Sequence, residues 1–451
     1  MKHRKISLFC CVMLSMSFVL SAAGCGAKEV EQTNDQLKVA YYGSDDAIAY
    51  ALYEFGQQHP DVEVITDSEA YGVSDDQGES FYKRIAAEMM GGNGPDVLVF
   101  NCTWVNANKM MRSGAFEDMN RFVENDPDWD FSDLNQTVLK AGQVDGKQYV
   151  MPLTYSIPLI LTTQSLLDGT DFDISTAGNY IRFMEECLRY KESSQNPELI
   201  FRAPLLTMRP YAYNLSIQSV DFDKKKASVT TPEIREAVDL YQQAVVSQYF
   251  VDGLGEFTGG GVYGAIALKE KTALFQYSSE PLDGHIEDLR ALKGVGETPV
   301  SFPLYNIDGQ LSAQIMTAFA INANSPNKQN AYELIKLALN ETNYGYQAYK
   351  GNIFIADSAV RSYLEGLIGK EEPLSLYSGD SGGIETLAGL TQADVDEYMG
   401  FLGEIDTAYL EENDVVEVCR DEIKPYLEGA KSDLDDCLDT AEEKLNRILS
   451  E

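Results

Sequence analysis

Between residues 37 and 100 the chain alternates short apolar runs with helix-spaced segments, and this rhythm limits the fold more than any other feature. Residues 37–42 (LKVAYY) read as a buried strand closed by Gly43 and Ser44. Helical spacing starts at once: Ile48, Leu52 and Phe55 fall at i, i+4 and i+7, with Ser44 and Asp45 as cap candidates. Residues 61–66 (DVEVIT) read as a second strand, residues 79–90 as a helix stopped by Gly91-Gly92-Asn93-Gly94-Pro95, and residues 96–100 (DVLVF) as a third strand. Alternation at this pitch implies an α/β fold, a parallel sheet with helices on both faces. Ligands of such sheets sit beyond the carboxyl ends of the strands, so the residues just after each strand are the first candidates for a site.

Residues 146–161 (GKQYVMPLTYSIPLIL) break the rhythm. The stretch is long, extended and interrupted by Pro152 and Pro158, which suits a segment crossing between two lobes. Residues 233–247 and 329–339 are further amphipathic helices. Residues 432–449 close the chain, with Leu434, Leu438, Ala441, Leu445 and Ile448 on one face. Asp433, Asp435 and Asp436 sit in the first turn and Lys444 and Arg447 in the last, matching the helix dipole.

The N-terminus reads as an address. Lys2, His3, Arg4 and Lys5 precede an apolar run over 6–20, and Ser21-Ala22-Ala23-Gly24-Cys25 follows. A basic head, an apolar core too short for a stable anchor and small residues at the end make an export signal. With its cysteine it resembles a bacterial lipoprotein signal, which implies removal of residues 1–24 and lipidation of Cys25. Residues 25–36 then form a lipid-anchored tether, reaching about 35–40 Å. No later apolar run approaches the roughly 20 residues that cross a bilayer, so attachment would be through the lipid alone, on the extracytoplasmic face of the cell membrane.

The 451 residues carry a formal charge of −36, and loss of Lys2, Arg4 and Lys5 with the signal takes this to −39. Such a field disfavours nucleic acid as a partner. Outside the signal and Cys25 the cysteines are Cys102, Cys187, Cys419 and Cys437, with no C-x-x-C. They read as small buried side chains, or, for Cys419 and Cys437, as a disulfide if the terminal helices touch. With only His59 and His285 beyond the signal, zinc and a catalytic triad find no ligands or base, and no metal or cofactor is expected. Residues 259–264 (GGGVYG) fit G-x-G-x-x-G but follow a loop rather than a strand, so a dinucleotide site is not implied. Residues 126–130 (DPDWD) open like a calcium loop, yet Phe131 and Thr137 stand where glycine and glutamate are required.

Several segments together resemble the extracellular solute-binding proteins of sugar-importing ABC systems, the maltose-binding protein class. Residues 94–100 (GPDVLVF) match the family's GPD strand, and 113–116 (SGAF) the turn after it. Residues 146–153 (GKQYVMPL) are similar to its first lobe crossing, and 320–328 (AINANSPNK) to its strand-to-helix segment after the second. The resemblance implies a two-lobed, type II periplasmic-binding-protein fold with a ligand cleft at a hinge, and no catalysis. Lobe bounds of 37–152 with 309–350, and 153–308 with 351–451, follow from it. It also implies an ABC permease as partner, a monomer, and a carbohydrate, most simply an oligosaccharide, as the solute.

Carried onto this chain, the family's ligand positions fall at strand ends: Tyr42, Ser44 and Asp45; Asn101, Thr103 and Trp104; Tyr155 and Ser156; Arg209, Tyr211 and Tyr213; and Gln276, Tyr277 and Glu280. Tyr42, Trp104, Tyr155, Tyr211 and Tyr277 would offer aromatic faces to sugar rings, and Asp45, Asn101 and Glu280 partners to hydroxyls. The residues leave open a polyamine, peptide or polyol in the same fold, a surface sensor or adhesin without transport, and an exported hydrolase.

Overall fold

The computed structural model describes residues 36–42, 46–69, 75–129, 131–193, 201–202, 219–246, 250–251, 262–277, 281–340, 351–374, 382–427 and 429–450. Cys25, Ser44, Asp45, Arg209, Tyr211, Tyr213, Glu280 and residues 259–261 of the glycine-rich run lie outside them.

The opening alternation folds as strands and helices in turn: β1 (Gln36–Tyr42), α1 (Asp46–Gln58), β2 (Glu63–Glu69), α2 (Asp75–Met90) and β3 (Val97–Asn101). Ile48 and Phe55 of α1 are fully buried, as the spacing requires. Four consecutive residues of β3, Val97 to Phe100, are buried, the mark of a strand covered on both faces. β1 pairs in parallel with β2 and with β3.

The sheet is mixed rather than wholly parallel. After β3 come α3 (Ala107–Ser113) and β4 (Val150–Ser156). The chain then leaves for a second body and returns much later as β12 (Leu311–Ile321), antiparallel to both β3 and β4. A strand that arrives from another lobe is not bound by the helical crossover that makes neighbours parallel. β13 (Ile353–Phe354) pairs with β4, and β14 (Ile405–Tyr409) with β12. The order is β13-β4-β12-β3-β1-β2 with β14 beside β12.

The second body holds β5 (Leu159–Thr163), α4 (Tyr180–Ser193), β6 (Phe201–Arg202), β7 (Val220–Asp221), β8 (Lys226–Ala227), α5 (Pro232–Val246), β9 (Phe250–Val251), α6 (Tyr263–Lys269), β10 (Phe275–Tyr277), α7 (Asp283–Gly294) and β11 (Pro299–Pro303). Its sheet runs β9-β6-β10-β5-β11. Phe275 anchors the core, 4.8 Å from Phe172, 5.8 Å from Phe302 and 5.9 Å from Phe183 between ring centroids. The chain changes sheets at Ile157-Pro158, between β4 and β5, and again at residues 304–310, between β11 and β12.

A single carboxylate ties the first sheet to the returning chain. Asp96, nearly buried, accepts from Lys38 N at 2.7 Å, Ser325 Oγ at 2.5 Å and Asn327 Nδ2 at 3.2 Å. Asn322 reciprocates, its Nδ2 donating to the carbonyls of Asn93 at 2.8 Å and Pro95 at 2.9 Å. The two sequence segments 94–100 and 320–328 are therefore halves of one clasp. Gly94 enters it at φ +92°, a conformation that favours glycine. Beyond it α8 (Lys328–Ala338) packs on α1. Asp126 of the failed calcium loop binds α8 instead, accepting from Lys336 Nζ at 2.6 Å and Tyr332 Oη at 3.0 Å.

After β13, α9 (Asp357–Glu365) and α10 (Gln392–Gly403) lean on the second body, where Tyr363 Oη donates to Asp283 Oδ1 at 2.5 Å and Tyr398 Oη to the Pro281 carbonyl at 2.7 Å. From β14 the chain runs into α11 (Asn413–Leu427) and α12 (Leu434–Ser450), which pack together and onto α5 and β8. Cys419 and Cys437 lie on these helices as free, buried thiols, and so do Cys102 and Cys187 elsewhere. Burial pushes the Cys419 thiol up to about 12.

Asp96→Ala would remove the acceptor shared by the backbone of β1 and the buried side chains of Ser325 and Asn327. It is expected to cost about 3–5 kcal/mol in chemical denaturation of the first lobe. An unchanged midpoint would contradict the clasp.

Candidate functional site

The carboxyl ends of β1 and β3 bring Tyr42 and Trp104 together, as their places after the strands suggested. Their rings meet edge to face at 5.4 Å. Helix α2 adds Phe81 and Tyr82, which sequence reasoning missed. Tyr82 lies 6.2 Å from Trp104 in a near-parallel stack and 6.4 Å from Tyr42. Its hydroxyl bridges the strands, accepting from Tyr42 N at 3.3 Å and donating to the Val99 carbonyl at 3.1 Å. On a helix of ordinary amphipathic spacing, Phe81 and Tyr82 look like core residues, and only the fold reveals that they back a platform.

Two local devices set the indole. Asn101 Oδ1 accepts from Thr103 N at 3.0 Å and Thr103 Oγ1 at 2.8 Å, capping the short helical turn Cys102–Trp104 that carries the ring. Asn101 therefore positions Trp104, with its carboxamide oxygen committed to that task. Gly78 of α2 lets the helix backbone lie against the ring, where a Cβ would meet Trp104 Cε3 at 3.0 Å. A glycine inside a helix is unfavourable by about 0.5–1 kcal/mol, and this close approach is what it permits. Trp104 itself is half-buried.

Tyr155 and Tyr277 stand elsewhere, near the first sheet change. Tyr155, two residues before Ile157, is wholly buried, and burial holds its phenol well above the usual range. Its hydroxyl has no hydrogen bond among the described residues. Tyr277 ends β10 opposite Ile160 and is almost fully buried.

A pocket of about 170 Å³ opens between the two bodies. Asn108 of α3, Ala141 and Tyr409 of β14 line it from the first, Val220 and Phe222 from the second, and Leu410, Glu412 and Val415 from the third connection between them, which runs from β14 into α11. Sequence reading named none of these residues. Their one signal was position: Asn106 and Asn108 follow β3 by a few residues, and Glu411-Glu412 follow β14. Solute clefts run to roughly 300–1,000 Å³, so this recess suits a small part of a ligand until the bodies part further.

The electrostatics of the recess centre on Glu412. Asn108 donates to its Oε1 from the backbone at 2.6 Å and from Nδ2 at 3.0 Å. Burial nevertheless pushes its carboxyl up to about 8, against the pull of those bonds. At neutral pH the group is mainly the neutral acid, a donor as well as an acceptor. Among the described residues no cluster of three or more His, Cys, Asp or Glu could hold a metal, and no helix is long and apolar enough to cross a membrane.

The description of the family model that matches residues 42–344 is "bacterial extracellular solute-binding protein". No curated protein matches the chain. Solved structures do. An ABC substrate-binding protein of Listeria monocytogenes in complex with cycloalternan is 16% identical, with a TM-score of 0.61 over 92% of this chain and 99% of that one. The sugar-binding protein MalE of Xanthomonas citri is 15% identical, with a TM-score of 0.65 over 92% and 97%. The GacH receptor of Streptomyces glaucescens, solved free and with acarbose, is 17% identical, with a TM-score of 0.57 over 92% and 98%. At these identities the likeness is one of fold: two lobes of the type II binding-protein class, joined at a hinge.

Because Glu412 has a raised value in the folded state, its stabilising contribution is complete below about pH 4.5 and is lost as pH rises through about 8. Glu412→Gln keeps the acceptor for Asn108 without the charge. Its stability relative to the parent is expected to rise from pH 5 to pH 8.5 by on the order of a few kcal/mol. Parallel curves in pH-dependent denaturation would refute the assignment.

Proposed function

The chain belongs to the bacterial extracellular solute-binding protein family, and on that premise we propose that it captures a carbohydrate between its lobes and delivers it to an ABC permease. The observation that carries the reading is the half-buried indole of Trp104 just after β3, held from behind by the buried rings of Tyr42 and Tyr82. A pyranose offers an apolar C–H face to such rings, and its hydroxyls need planar amide and carboxyl partners. Asn108 and Glu412 of the recess supply chemistry of that kind. The sugar ligands of the Listeria, Xanthomonas and Streptomyces proteins, which share the fold, favour a saccharide over a polyamine, peptide or polyol.

In this reading the lobes are built on the two sheets. Ladder pairing supports assigning residues 153–156, 353–354 and 405–409 to the first lobe, and the packing of α11 and α12 on α5 and β8 supports the second for the chain's end. Ser44, Asp45, Tyr211 and Glu280 are proposed as further contacts to the solute, and Tyr277, almost fully buried at the end of β10, would reach it only on opening. Tyr155, which is enclosed, would meet solute only on opening. The protein acts without catalysis, waits outside the cytoplasm as a monomer tethered through a lipid on Cys25, and presents the loaded form to the permease subunits.

A thermal-shift screen of the chain from Gly26 onward, against mono- and oligosaccharides, polyamines and short peptides, tests the solute. A saccharide at a hundred times its Kd adds about 2.7 kcal/mol of stability. Trp104→Ala is expected to abolish that shift while leaving the unliganded protein folded. A response confined to polyamines or peptides would overturn the carbohydrate, and silence across the panel would favour a sensor or adhesin.

A further inference from the structure

Two helices that belong to different lobes satisfy each other's N-termini. Asn106 stands at the N-cap of α3 in the first lobe, yet makes no cap bond to its own helix. Its Oδ1 accepts instead from Asp414 N, in the first turn of α11, at 3.1 Å. Glu412, just before α11, returns the favour by accepting from Asn108 N in the first turn of α3. Each helix thus borrows its cap from the residue that precedes the other. Helix α11 is held to the second lobe at its far end, where Tyr426 Oη donates to Asp239 of α5.

The exchange continues outward along α3. Arg112 donates from Nη1 to Asn108 Oδ1 at 3.0 Å, and from Nη2 to Asp223 Oδ1 at 2.6 Å. Asp223 lies in the turn between β7 and β8, on the second lobe, and the guanidinium also covers the Phe222 ring at 5.7 Å. That turn is fixed in turn to α12, through Ala227 N donating to Asn446 and Val229 N to Glu442, each at 2.9 Å. A continuous path therefore runs from the second lobe through Asp223, Arg112, Asn108 and Glu412 to the third connection.

We infer that this path is a closure latch: the crossed caps of α3 and α11, with Arg112 reaching over to Asp223 and Phe222, hold the lobes in the closed arrangement around the recess. The inference rests on the two-lobed binding reading, but not on the identity of the solute. Its parts differ in strength. The Arg112–Asp223 pair is exposed on the Asp223 side and screened by water, so it serves as a reversible outer catch. The caps are less accessible, and separating the helices would orphan an N–H on each. Because Asn108, Phe222 and Glu412 also line the recess, a solute entering it meets the latch directly.

Spin labels on the two lobes read the latch without any ligand. The full-length protein is taken with Cys10, Cys11 and Cys25 replaced by serine, and labels are placed through Tyr53→Cys on α1 and Glu185→Cys on α4, both exposed. The four remaining thiols are buried and stay unlabelled. Electron–electron distance distributions are expected to move toward longer separations in Asn106→Ala and Arg112→Ala, with the open-to-closed ratio rising about tenfold for the first. Asp223→Asn, a change at an exposed turn, is expected to give a smaller shift that added salt reproduces in the parent. Distributions that superimpose on the parent in Arg112→Ala and Asp223→Asn would overturn the latch. No solute enters the measurement, so failure of saccharide binding in the thermal screen and failure of the latch remain separate results.

Discussion

The carboxylate of Asp96 is the point on which the first lobe depends. It receives the backbone of β1, stands at the head of β3, and holds the turn that leads from β12 into α8. Those three strands are neighbours in the sheet but arrive at very different times along the chain, with the whole second sheet made in between. A buried charge of this kind is tolerable only when every oxygen is engaged, and here three donors meet it. With the strands registered by the clasp, the carboxyl ends of β1 and β3 come level, and Tyr42 and Trp104 face each other as a consequence.

The platform and the recess follow opposite physical rules. Around Trp104, the ring is fixed by a capped turn and a glycine that lets α2 approach, so on the proposed function that surface is prepared before any solute arrives. At the recess, the groups that line the space also bind the lobes to one another, and the space is small. A preorganised platform with an adjustable opposite wall lets binding energy go into closure rather than into ordering side chains.

Much of this was legible in the chain because it is local. Strands read from buried runs, helices from the spacing of Ile48 and Phe55, and the pairing of Tyr42 with Trp104 from the rule that strand ends carry sites. The antiparallel entry of β12 was not legible, since periodicity reports faces and not direction. The segments GPDVLVF and AINANSPNK were visible as signatures, yet nothing in either says that Asn322 and Asp96 grip the other. Asn106 is the sharpest case. By its place before α3 it reads as that helix's own cap, but its side chain serves a helix more than 300 residues away. Glu412 was hidden for the same reason, in a sequence where acids are too common for any one to stand out.

The placement of β12 sets a timetable. That strand lies between β3 and β4 in the middle of its sheet, although it is not made until residue 311. A chain emerging from its N-terminus therefore has β1 and β3 in hand for hundreds of residues with the central slot beside them vacant. The second sheet, whose strands fall within residues 159–303, can assemble first. High sequence separation of this kind slows the search for the native pairing and leaves an apolar strand edge open meanwhile. The first sheet is therefore complete only when β12, β13 and β14, all made after the second sheet, have paired with strands made long before them.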